Sequence, residues 1–194
     1  MKERISLVAK AHERIGAYLR PGAIAIDATV GNGYDTLFLL WQVAPGGRVY
    51  GFDIQRSALE SAETKINDPE LRACLTLFAD SHARMAEWIP QEDHGSIGAI
   101  MFNLGYLPGG DKAVTTRTES TLAALAAASR LLSPGGIITI VAYPGHTSGA
   151  PETERVRRWC EAIDPQCFKV ELIHAKPNDD TAPRLFVVTR TCVE

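Results

Sequence analysis

The chain has 194 residues, of which 45% are hydrophobic and 22% are charged, and its net charge at pH 7 is −3. A chain of this length buries one good core but not a second large one. We therefore expect a single domain over residues 1–194, with an N-terminal helix in 1–20 and the core in 21–194. The mildly acidic charge argues against a globally basic nucleic-acid-binding protein, although a local basic patch would be enough to bind RNA.

The cysteines and the apolar segments bear on the cellular compartment. The four cysteines lie far apart in the sequence, without a CxxC pair or a histidine at zinc-ligand spacing. We therefore expect free thiols in a reducing compartment and no metal site. No segment approaches the roughly 20 consecutive apolar residues that a membrane span needs, and the N-terminus has no apolar signal core. These features predict a soluble, cytoplasmic protein without membrane contact.

Apolar runs and helical patterns alternate along the chain. In order, the predicted elements are a helix (6–19), a strand (23–27), a helix (35–43), a strand (48–53), a helix (57–66), a strand (75–79), a short helix (83–88), a strand (97–103), a helix (119–132), a strand (137–143), a helix (152–162) and two strands (168–174 and 185–189). Repeated βα units predict a parallel sheet with helices on both faces. The last two strands are joined by a loop too short for a helical crossover, so they should form an antiparallel hairpin. The predicted class is α/β: a Rossmann-like, mostly parallel seven-stranded sheet with a C-terminal antiparallel hairpin.

The loop after the first predicted strand is the most informative segment of the chain. Residues 27–36 read Asp-Ala-Thr-Val-Gly-Asn-Gly-Tyr-Asp-Thr. Gly31 and Gly33 can take positive φ and let a ligand approach the backbone. A dinucleotide-binding loop would have a third glycine where Thr36 stands, and an acidic residue before the turn does not suit a pyrophosphate. The loop therefore favours a cationic ligand without phosphates, and S-adenosylmethionine is the obvious candidate.

Acidic or amide residues end four consecutive predicted strands. Ligands of open α/β sheets bind beyond the carboxyl ends of the strands, so these side chains should share one site. We expect Asp53 to accept both ribose hydroxyls of an adenosine and Asp80 to accept from the adenine amino group. Each acid could instead cap the turn or helix that follows it, but their succession favours an adenosine cofactor. The predicted cofactor-binding residues are Asp27, Thr29, Gly31, Asn32, Gly33, Asp35, Thr36, Asp53, Gln55, Asp80, Ser81, His82 and Asn103.

The segment at the end of the fourth strand indicates the acceptor chemistry. Residues 103–106, Asn-Leu-Gly-Tyr, have the outline of the Asn-Pro-Pro-Tyr loop of enzymes that methylate amino groups on nucleobases. We expect Asn103 to accept hydrogen bonds from the amine and Tyr106 to stack on the base; a turn residue and a packed aromatic are the structural alternative. An alkylamine is protonated at neutral pH, so the site also needs a proton acceptor. His146 and Asp111 are the candidates.

We also predict roles in catalysis, substrate binding or packing for several other residues. The loop at 109–118 could grip a nucleotide backbone. The predicted catalytic residues are Asn103, Tyr106 and His146, and the predicted substrate-binding residues are Leu104, Gly105, Tyr106, Asp111, Lys112, Thr115 and Thr116. His12 is predicted to be a surface or packing residue, and the tryptophans at 41, 88 and 159 are predicted to belong to the core.

Five sequence blocks occur together and in order. They are residues 27–36, 52–55, 80–82, 103–112 (Asn-Leu-Gly-Tyr-Leu-Pro-Gly-Gly-Asp-Lys) and 143–146 (Tyr-Pro-Gly-His). The combination resembles the rRNA methylase family, whose characterised members methylate 5-aminomethyl-2-thiouridine at the tRNA wobble position. The resemblance covers essentially the whole chain, and the block at 103–112 is its most specific part.

The resemblance implies a class I S-adenosylmethionine-dependent methyltransferase whose product is 5-methylaminomethyl-2-thiouridine. It also implies the tRNA anticodon arm as a partner and makes a homodimer plausible. Two other interpretations stay open. The first is a methyltransferase for an rRNA base or a small-molecule amine, and the second is a non-catalytic nucleotide-binding module or a dehydrogenase with the same fold.

Overall fold

The computed structural model describes residues 6–106, 109, 115–145 and 148–192. The helices are α1 (Leu7–Gly16), α2 (Tyr34–Val43), α3 (Arg56–Lys65), α4 (Pro69–Ala73), α5 (Met85–Trp88), α6 (Thr118–Leu131) and α7 (Gly149–Ala162). The strands are β1 (Ile24–Asp27), β2 (Arg48–Phe52), β3 (Leu75–Phe78), β4 (Ile97–Asn103), β5 (Leu132–Ala142), β6 (Phe168–His174) and β7 (Arg184–Arg190). Short 3-10 turns at His82–Arg84 and Gln91–Asp93 complete the described secondary structure.

The seven strands form one sheet in the order β3-β2-β1-β4-β5-β7-β6. Strands β1 to β5 pair in parallel, whereas β7 runs antiparallel to both β5 and β6. This topology confirms the predicted Rossmann-like sheet with its C-terminal hairpin. The strand order reverses between β1 and β4, and a crevice for ligands opens at that point of a doubly wound sheet. The loops that follow β1 and β4 therefore face the same opening.

Alternate side chains of the central strands fill two apolar layers, one on each face of the sheet. Along β4, Phe102 belongs to the layer under α6 and α7, and Met101 belongs to the layer under α1, α2 and α3. Ala11 and Ile15 of α1 are fully buried in that second layer, together with residues of β5 and β7. Their burial fixes the N-terminal helix next to the opening of the sheet.

Strand β5 begins five residues earlier than the sequence predicts. Ile97 pairs with Leu132 while Ala99 pairs with Ile137, so residues 133–136 bulge out between the two paired segments. These four residues, Ser-Pro-Gly-Gly, therefore form a turn that interrupts a strand. Gly135 takes a φ of 74° within the bulge, a conformation that glycine adopts at little cost.

Two of the three tryptophans predicted to be in the core are exposed, so that prediction is wrong for them. Trp41 is 64% exposed because α2 buries a face that contains Leu39, Leu40 and Val43 instead. Trp88 is 45% exposed, and its indole N–H donates to a carboxylate at the end of β3. Trp159 does pack against the layer under α6 and α7. Within the described parts of the chain, no helix combines the length and apolarity of a membrane span.

Candidate functional site

A cavity of about 1050 Å³ opens at the carboxyl ends of the parallel strands. It is lined by most of the residues that the sequence predicts for cofactor and substrate binding. Those residues are Thr29, Gly31, Asn32, Asp35, Asp53, Gln55, Asp80, Ser81, His82, Asn103, Leu104, Gly105, Tyr106, Thr115 and Thr116. The predicted residues Asp111, Lys112 and His146 lie outside the described residues.

Three predicted cofactor-binding residues lie behind the cavity wall and shape it from there. The fully buried carboxylate of Asp27 accepts hydrogen bonds from the Thr29 backbone N–H at 3.1 Å and from the Thr36 hydroxyl at 2.6 Å. Gly33 takes a φ of 76° where a Cβ atom would lie 2.8 Å from the Ala62 Cα. Glycine is therefore required there for the start of α2 to pack on α3, and not for a ligand to approach.

The buried Asp27 carboxyl has an unusual protonation equilibrium. Burial, followed by the negative charge of Asp35, raises the pKa of Asp27 to about 7. Its two hydrogen-bond donors oppose this shift but do not cancel it. Near neutral pH the folded chain therefore holds a proton on Asp27 for a substantial part of the time.

Asp53 ties the loop after β1 to the loop after β2. One carboxylate oxygen accepts from the Gly31 backbone N–H and the other from the Gln55 backbone N–H, both at 2.9 Å. Each oxygen has a second lone pair, so the carboxylate can also accept from the hydroxyls of a ligand. The next residue, Ile54, is 59% exposed and lines the cavity, so it offers an apolar surface beside that carboxylate.

At the end of β3, Asp80 is held in its ionised form. It accepts from the Trp88 indole N–H, its neighbour Ser81 N–H and an Arg84 guanidinium, each at 2.7 Å. The Trp88 hydrogen bond, followed by that from Ser81, lowers the pKa of Asp80. An ionised carboxylate at the cavity wall is an acceptor for an amino group of a ligand.

His82 presents a neutral acceptor nitrogen. Its Nδ1 lies 3.0 Å from the Ala28 carbonyl oxygen, which can only accept, so Nδ1 carries the hydrogen. The other nitrogen, Nε2, is then an acceptor, and it is buried without a hydrogen-bond partner. Burial lowers the pKa of His82 and keeps the ring neutral. A buried acceptor left unsatisfied beside a cavity is suited to a ligand that brings a donor.

Asn103 is fixed at the end of β4 by residues from two other segments. Its backbone N–H donates to the Thr29 hydroxyl at 2.8 Å, and its side-chain NH₂ donates to Asp35 at 3.3 Å. The next residue, Leu104, donates its N–H to the Val141 carbonyl of β5 at 2.9 Å. The backbone at the end of β4 is therefore held between the loop after β1 and the neighbouring strand, and the Asn103 amide is held by Asp35.

The segment after Asn103 is held by a buried glutamate that sequence reasoning missed. Gly105 and Thr116 exchange two hydrogen bonds of 2.9 Å, and Tyr106 bridges to Thr115. The Thr116 hydroxyl donates in turn to Glu152 of α7 at 2.7 Å, and the other Glu152 oxygen accepts from Thr121 at 2.7 Å. Glu152 is only 3% exposed, so it acts as an internal support for this segment.

His12 packs against a neighbouring ring, which is one of the two roles predicted for it, and it also contacts a cavity residue. Its Nε2 lies 2.7 Å from the second Asp35 oxygen, and its ring stacks on Phe38 with centroids 3.9 Å apart. Further cavity residues come from α1 and from the loop between β6 and β7, namely Val8, Thr181 and Pro183. No local sequence pattern marks these positions, because only the packing of α1 and of the hairpin on the sheet brings them to the opening.

The charge at the cavity wall is predominantly negative. Asp35, Asp53 and Asp80 contribute carboxylates, whereas Arg117 is the only lysine or arginine among the described residues that line the cavity. Arg117 lies directly after Thr116, on the side of the cavity formed by the end of β4. The rest of the wall therefore suits a cation better than a polyphosphate.

Comparison with known proteins agrees with this architecture. The model of the family described as "Putative rRNA methylase" matches residues 49–189. The chain belongs to this family. A tRNA (mnm(5)s(2)U34)-methyltransferase, chloroplastic, from Arabidopsis thaliana is 38% identical over 167 residues, which cover 80% of this chain and 60% of that protein. The chain thus spans less than two thirds of the length of that curated relative.

Two solved structures resemble the chain over almost their full lengths. The crystal structure of a family protein from Clostridium thermocellum is 38% identical, with a TM-score of 0.87, and the match covers 94% of this chain and 96% of that one. A methyltransferase from Streptococcus mutans, solved in complex with S-adenosylhomocysteine, is 30% identical with a TM-score of 0.83. That match covers 96% of this chain and 98% of the other. The rRNA methylase fold thus extends over nearly the whole chain.

Proposed function

We propose that the chain is an S-adenosylmethionine-dependent N-methyltransferase that converts 5-aminomethyl-2-thiouridine to 5-methylaminomethyl-2-thiouridine at the tRNA wobble position. The observation that supports this best is that Asn103 and Tyr106 line the same cavity as Asp53. Asn103, which we propose orients the amine, and Asp53, which we propose accepts from the ribose, therefore line one cavity. That is the arrangement which transfer from a nucleoside cofactor to an amine requires.

The described residues fit S-adenosylmethionine as the cofactor. Asp53 has acceptor capacity left for the ribose hydroxyls, Ile54 offers an apolar surface for the adenine, and the unpartnered His82 Nε2 can accept from a ligand donor. The carboxylates of the wall suit the positive charge of the sulfonium. When bound, the cofactor supplies a methyl group on a positively charged sulfur that leaves as a neutral thioether.

The reaction is an in-line displacement, so orientation of the amine supplies much of the rate. The amine would react in its neutral form, after the ammonium form has lost a proton to solvent. The bond from nitrogen to the methyl carbon would form as the carbon–sulfur bond breaks, and the electron pair of that bond would leave with sulfur. Asn103 would accept one N–H of the amine. The Gly105 carbonyl already accepts from the Thr116 N–H, so the Leu104 carbonyl is the better second acceptor.

The tRNA assignment rests on the acceptor side of the cavity and on the family. Tyr106 is 38% exposed and can stack on an extruded base. Arg117 lines the same cavity and can bind a phosphate. The Arabidopsis relative, 38% identical, is named for methylation that yields mnm5s2U34. We infer that the anticodon arm enters from the Tyr106 side.

Methylation in vitro tests the proposal. Purified protein and S-adenosylmethionine are incubated with tRNA from a strain that lacks this gene, and nucleosides are analysed by mass spectrometry. We expect 5-aminomethyl-2-thiouridine to be replaced by its N-methyl derivative, while an unmodified transcript of the same tRNA gains nothing. Methyl transfer to rRNA or to a free amine, with the tRNA unchanged, would overturn the substrate assignment.

Calorimetry separates the methyltransferase from a nucleotide-binding module or a dehydrogenase with the same fold. We expect S-adenosylhomocysteine to bind and NAD not to bind, because the described wall offers one arginine and three carboxylates to a pyrophosphate. Selective binding of NAD is incompatible with the proposal.

A further inference from the structure

We infer that Asp35 is a positioning residue for methyl transfer: anchored by His12, it holds the Asn103 side chain with its carbonyl oxygen toward the amine to be methylated. This inference rests on the proposed function, since it assigns a partner to the residue that orients the amine. It gives Asp35 and His12 a role in the reaction that differs from cofactor binding and from surface packing.

An asparagine side chain ends in two groups with opposite hydrogen-bonding character. Its two ends are similar in shape, but only the oxygen accepts a hydrogen bond and only the NH₂ donates one. Rotation by half a turn would present the NH₂ to the amine and leave that amine without an acceptor. An amine-orienting asparagine therefore needs a neighbour that distinguishes its two ends.

Asp35 is such a neighbour. One of its carboxylate oxygens lies 3.3 Å from the Asn103 side-chain nitrogen. An ionised carboxylate only accepts hydrogen bonds, so the amide end that faces it must be the NH₂. The Asn103 oxygen is then directed away from Asp35. Because both residues line the cavity, this orientation leaves the oxygen available to a cavity ligand.

The carboxylate is itself fixed by the N-terminal helix. Its other oxygen lies 2.7 Å from the His12 Nε2, and the His12 ring stacks nearly parallel on Phe38, at an angle of 3°. Ala11 and Ile15, on either side of His12 in α1, are fully buried. The position of α1 is therefore set by the core. Through the contact of His12 with Asp35 and that of Asp35 with Asn103, α1 helps to fix the orientation of the amide at the end of β4.

These contacts argue against Asp35 as a simple helix cap. Asp35 lies in the first turn of α2, but the N-cap position is Gly33 and has no side-chain cap bond. The two Asp35 oxygens instead meet side chains 23 and 68 residues away in the chain. A cap would need neither partner.

The negative charge of Asp35 also has an electrostatic cost, and folding alone does not explain why it lies at this position. The charge contributes to the raised pKa of the buried Asp27, so it disfavours the ionised form of that neighbouring carboxyl. Such unfavourable pairs are found preferentially at functional sites.

A double-mutant cycle tests whether Asp35 acts through Asn103. The variants are Asp35→Ala, Asn103→Ala and the double variant, assayed for kcat, for the KM of both substrates and for affinity toward S-adenosylhomocysteine. Asp35→Ala should lower kcat about 10- to 100-fold, as expected for loss of a charge-assisted hydrogen bond, with cofactor affinity nearly unchanged. In the Asn103→Ala background, Asp35→Ala should lower kcat almost no further. Additive losses, or a fall in cofactor affinity that parallels kcat, would overturn the inference.

His12 provides a second comparison with a rescue. His12→Ala removes the donor to Asp35, whereas His12→Gln keeps an N–H that can reach it. We expect the alanine variant to lower kcat and the glutamine variant to restore most of the loss. Glu13→Ala, on the exposed side of the same helix turn, is the matched control and should match the wild type. Equal losses for the alanine and glutamine variants would contradict the anchoring role.

An NMR measurement keeps the test independent of the substrate. The Asn103 side-chain NH₂ signals are assigned by their absence in Asn103→Ala. In the wild type they should exchange slowly with solvent and, in Asp35→Ala, move to the positions of a free amide. If wild-type protein fails to methylate tRNA but these signals respond as stated, the proposed function fails and the positioning by Asp35 stands. Signals that ignore Asp35→Ala overturn the positioning itself.

Discussion

The two sides of the cavity are built in different ways. On the cofactor side, formed by the loops after β1, β2 and β3, each acid binds a backbone N–H one or two residues further along the chain. Asp27 binds that of Thr29, Asp53 that of Gln55 and Asp80 that of Ser81. Such local bonds form as soon as the loop takes its turn. Each loop of this side is thus ordered in part by its own sequence, and the Asp53 bond to the Gly31 N–H and the His82 bond to the Ala28 carbonyl then join the loops to one another.

The acceptor side, formed by residues 103–106 and 115–117, depends on distant segments. Asn103 bonds to residues 68 and 74 positions away, and Thr116 bonds to Glu152, 36 positions away. These contacts require α1, α2 and α7 to be packed on the sheet first. We therefore expect cofactor binding to survive changes in tertiary packing better than acceptor orientation does.

Asn103→Ala should separate the two sides most strongly. We expect methyl transfer to fall by about 1000-fold, since the amine loses its acceptor in the transition state. Affinity for S-adenosylhomocysteine, measured by calorimetry, should stay within about twofold. Asn67→Ala, at an exposed asparagine outside the cavity, is the control. A parallel loss of cofactor affinity would show that the two sides are not independent at Asn103.

Asp53→Ala is the corresponding change on the cofactor side. It removes the carboxylate that joins Gly31 to Gln55 and that we propose accepts the ribose hydroxyls. We expect affinity for S-adenosylhomocysteine to fall by about 100-fold, from the loss of charge-assisted hydrogen bonds. Asp68→Ala removes another local loop acid, the cap of α4, and should leave the affinity unchanged. Unaltered binding by Asp53→Ala would remove Asp53 from the cofactor site.

The same contrast explains what the sequence could predict. The Gly31 turn, the acids at the strand ends and the alternation of elements are local signals, and they led to the Rossmann-like sheet that the structure confirms. Sequence reasoning placed Asp35 and Asn103 in one site because parallel strands end at a common edge. It also found the hairpin, since the loop between β6 and β7 is short.

The missed features depend on distances that no local pattern encodes. Glu152 lies in a helix whose sequence shows only a charged, amphipathic pattern, and its burial follows from the docking of α7 beside α6. His12 is similar: its meeting with Asp35 requires α1 to lie across the sheet. Trp41 was assigned to the core from its apolar neighbours, although they cover the opposite face of α2.

Glu152→Ala tests the dependence of the acceptor side on α7. It leaves the hydroxyls of Thr116 and Thr121 without their buried acceptor, which should cost about 2 kcal/mol of unfolding free energy. With Gly105 and Thr116 less constrained, the KM for tRNA should rise while cofactor affinity stays constant. The control is Glu154→Ala on the same helix, whose exposed ion pairs contribute little to stability. Weakened cofactor binding with an unchanged KM for tRNA would mean that Glu152 supports the cofactor side and not the acceptor side.

Asp27→Asn probes the smallest effect, within the cofactor side alone. Because the pKa of Asp27 is raised to about 7 in the folded chain, folding takes up a proton between about pH 4 and pH 7, and stability falls as the pH rises through that range. The slope is at most about 1.4 kcal/mol per pH unit. Asparagine stays neutral, can still accept from the Thr29 N–H and can donate to the Thr36 hydroxyl.

Urea unfolding at several pH values measures the difference. The wild type should lose stability relative to Asp27→Asn as the pH rises from about 5 to about 7, and the two should run in parallel above that range. Asp68→Asn, at an exposed carboxylate, is the control and should follow the wild type. Parallel curves throughout would mean that Asp27 is ionised in the folded chain. An ionised Asp27 would add one negative charge to the cofactor side. This side would then attract a sulfonium more strongly than it does with Asp27 partly protonated.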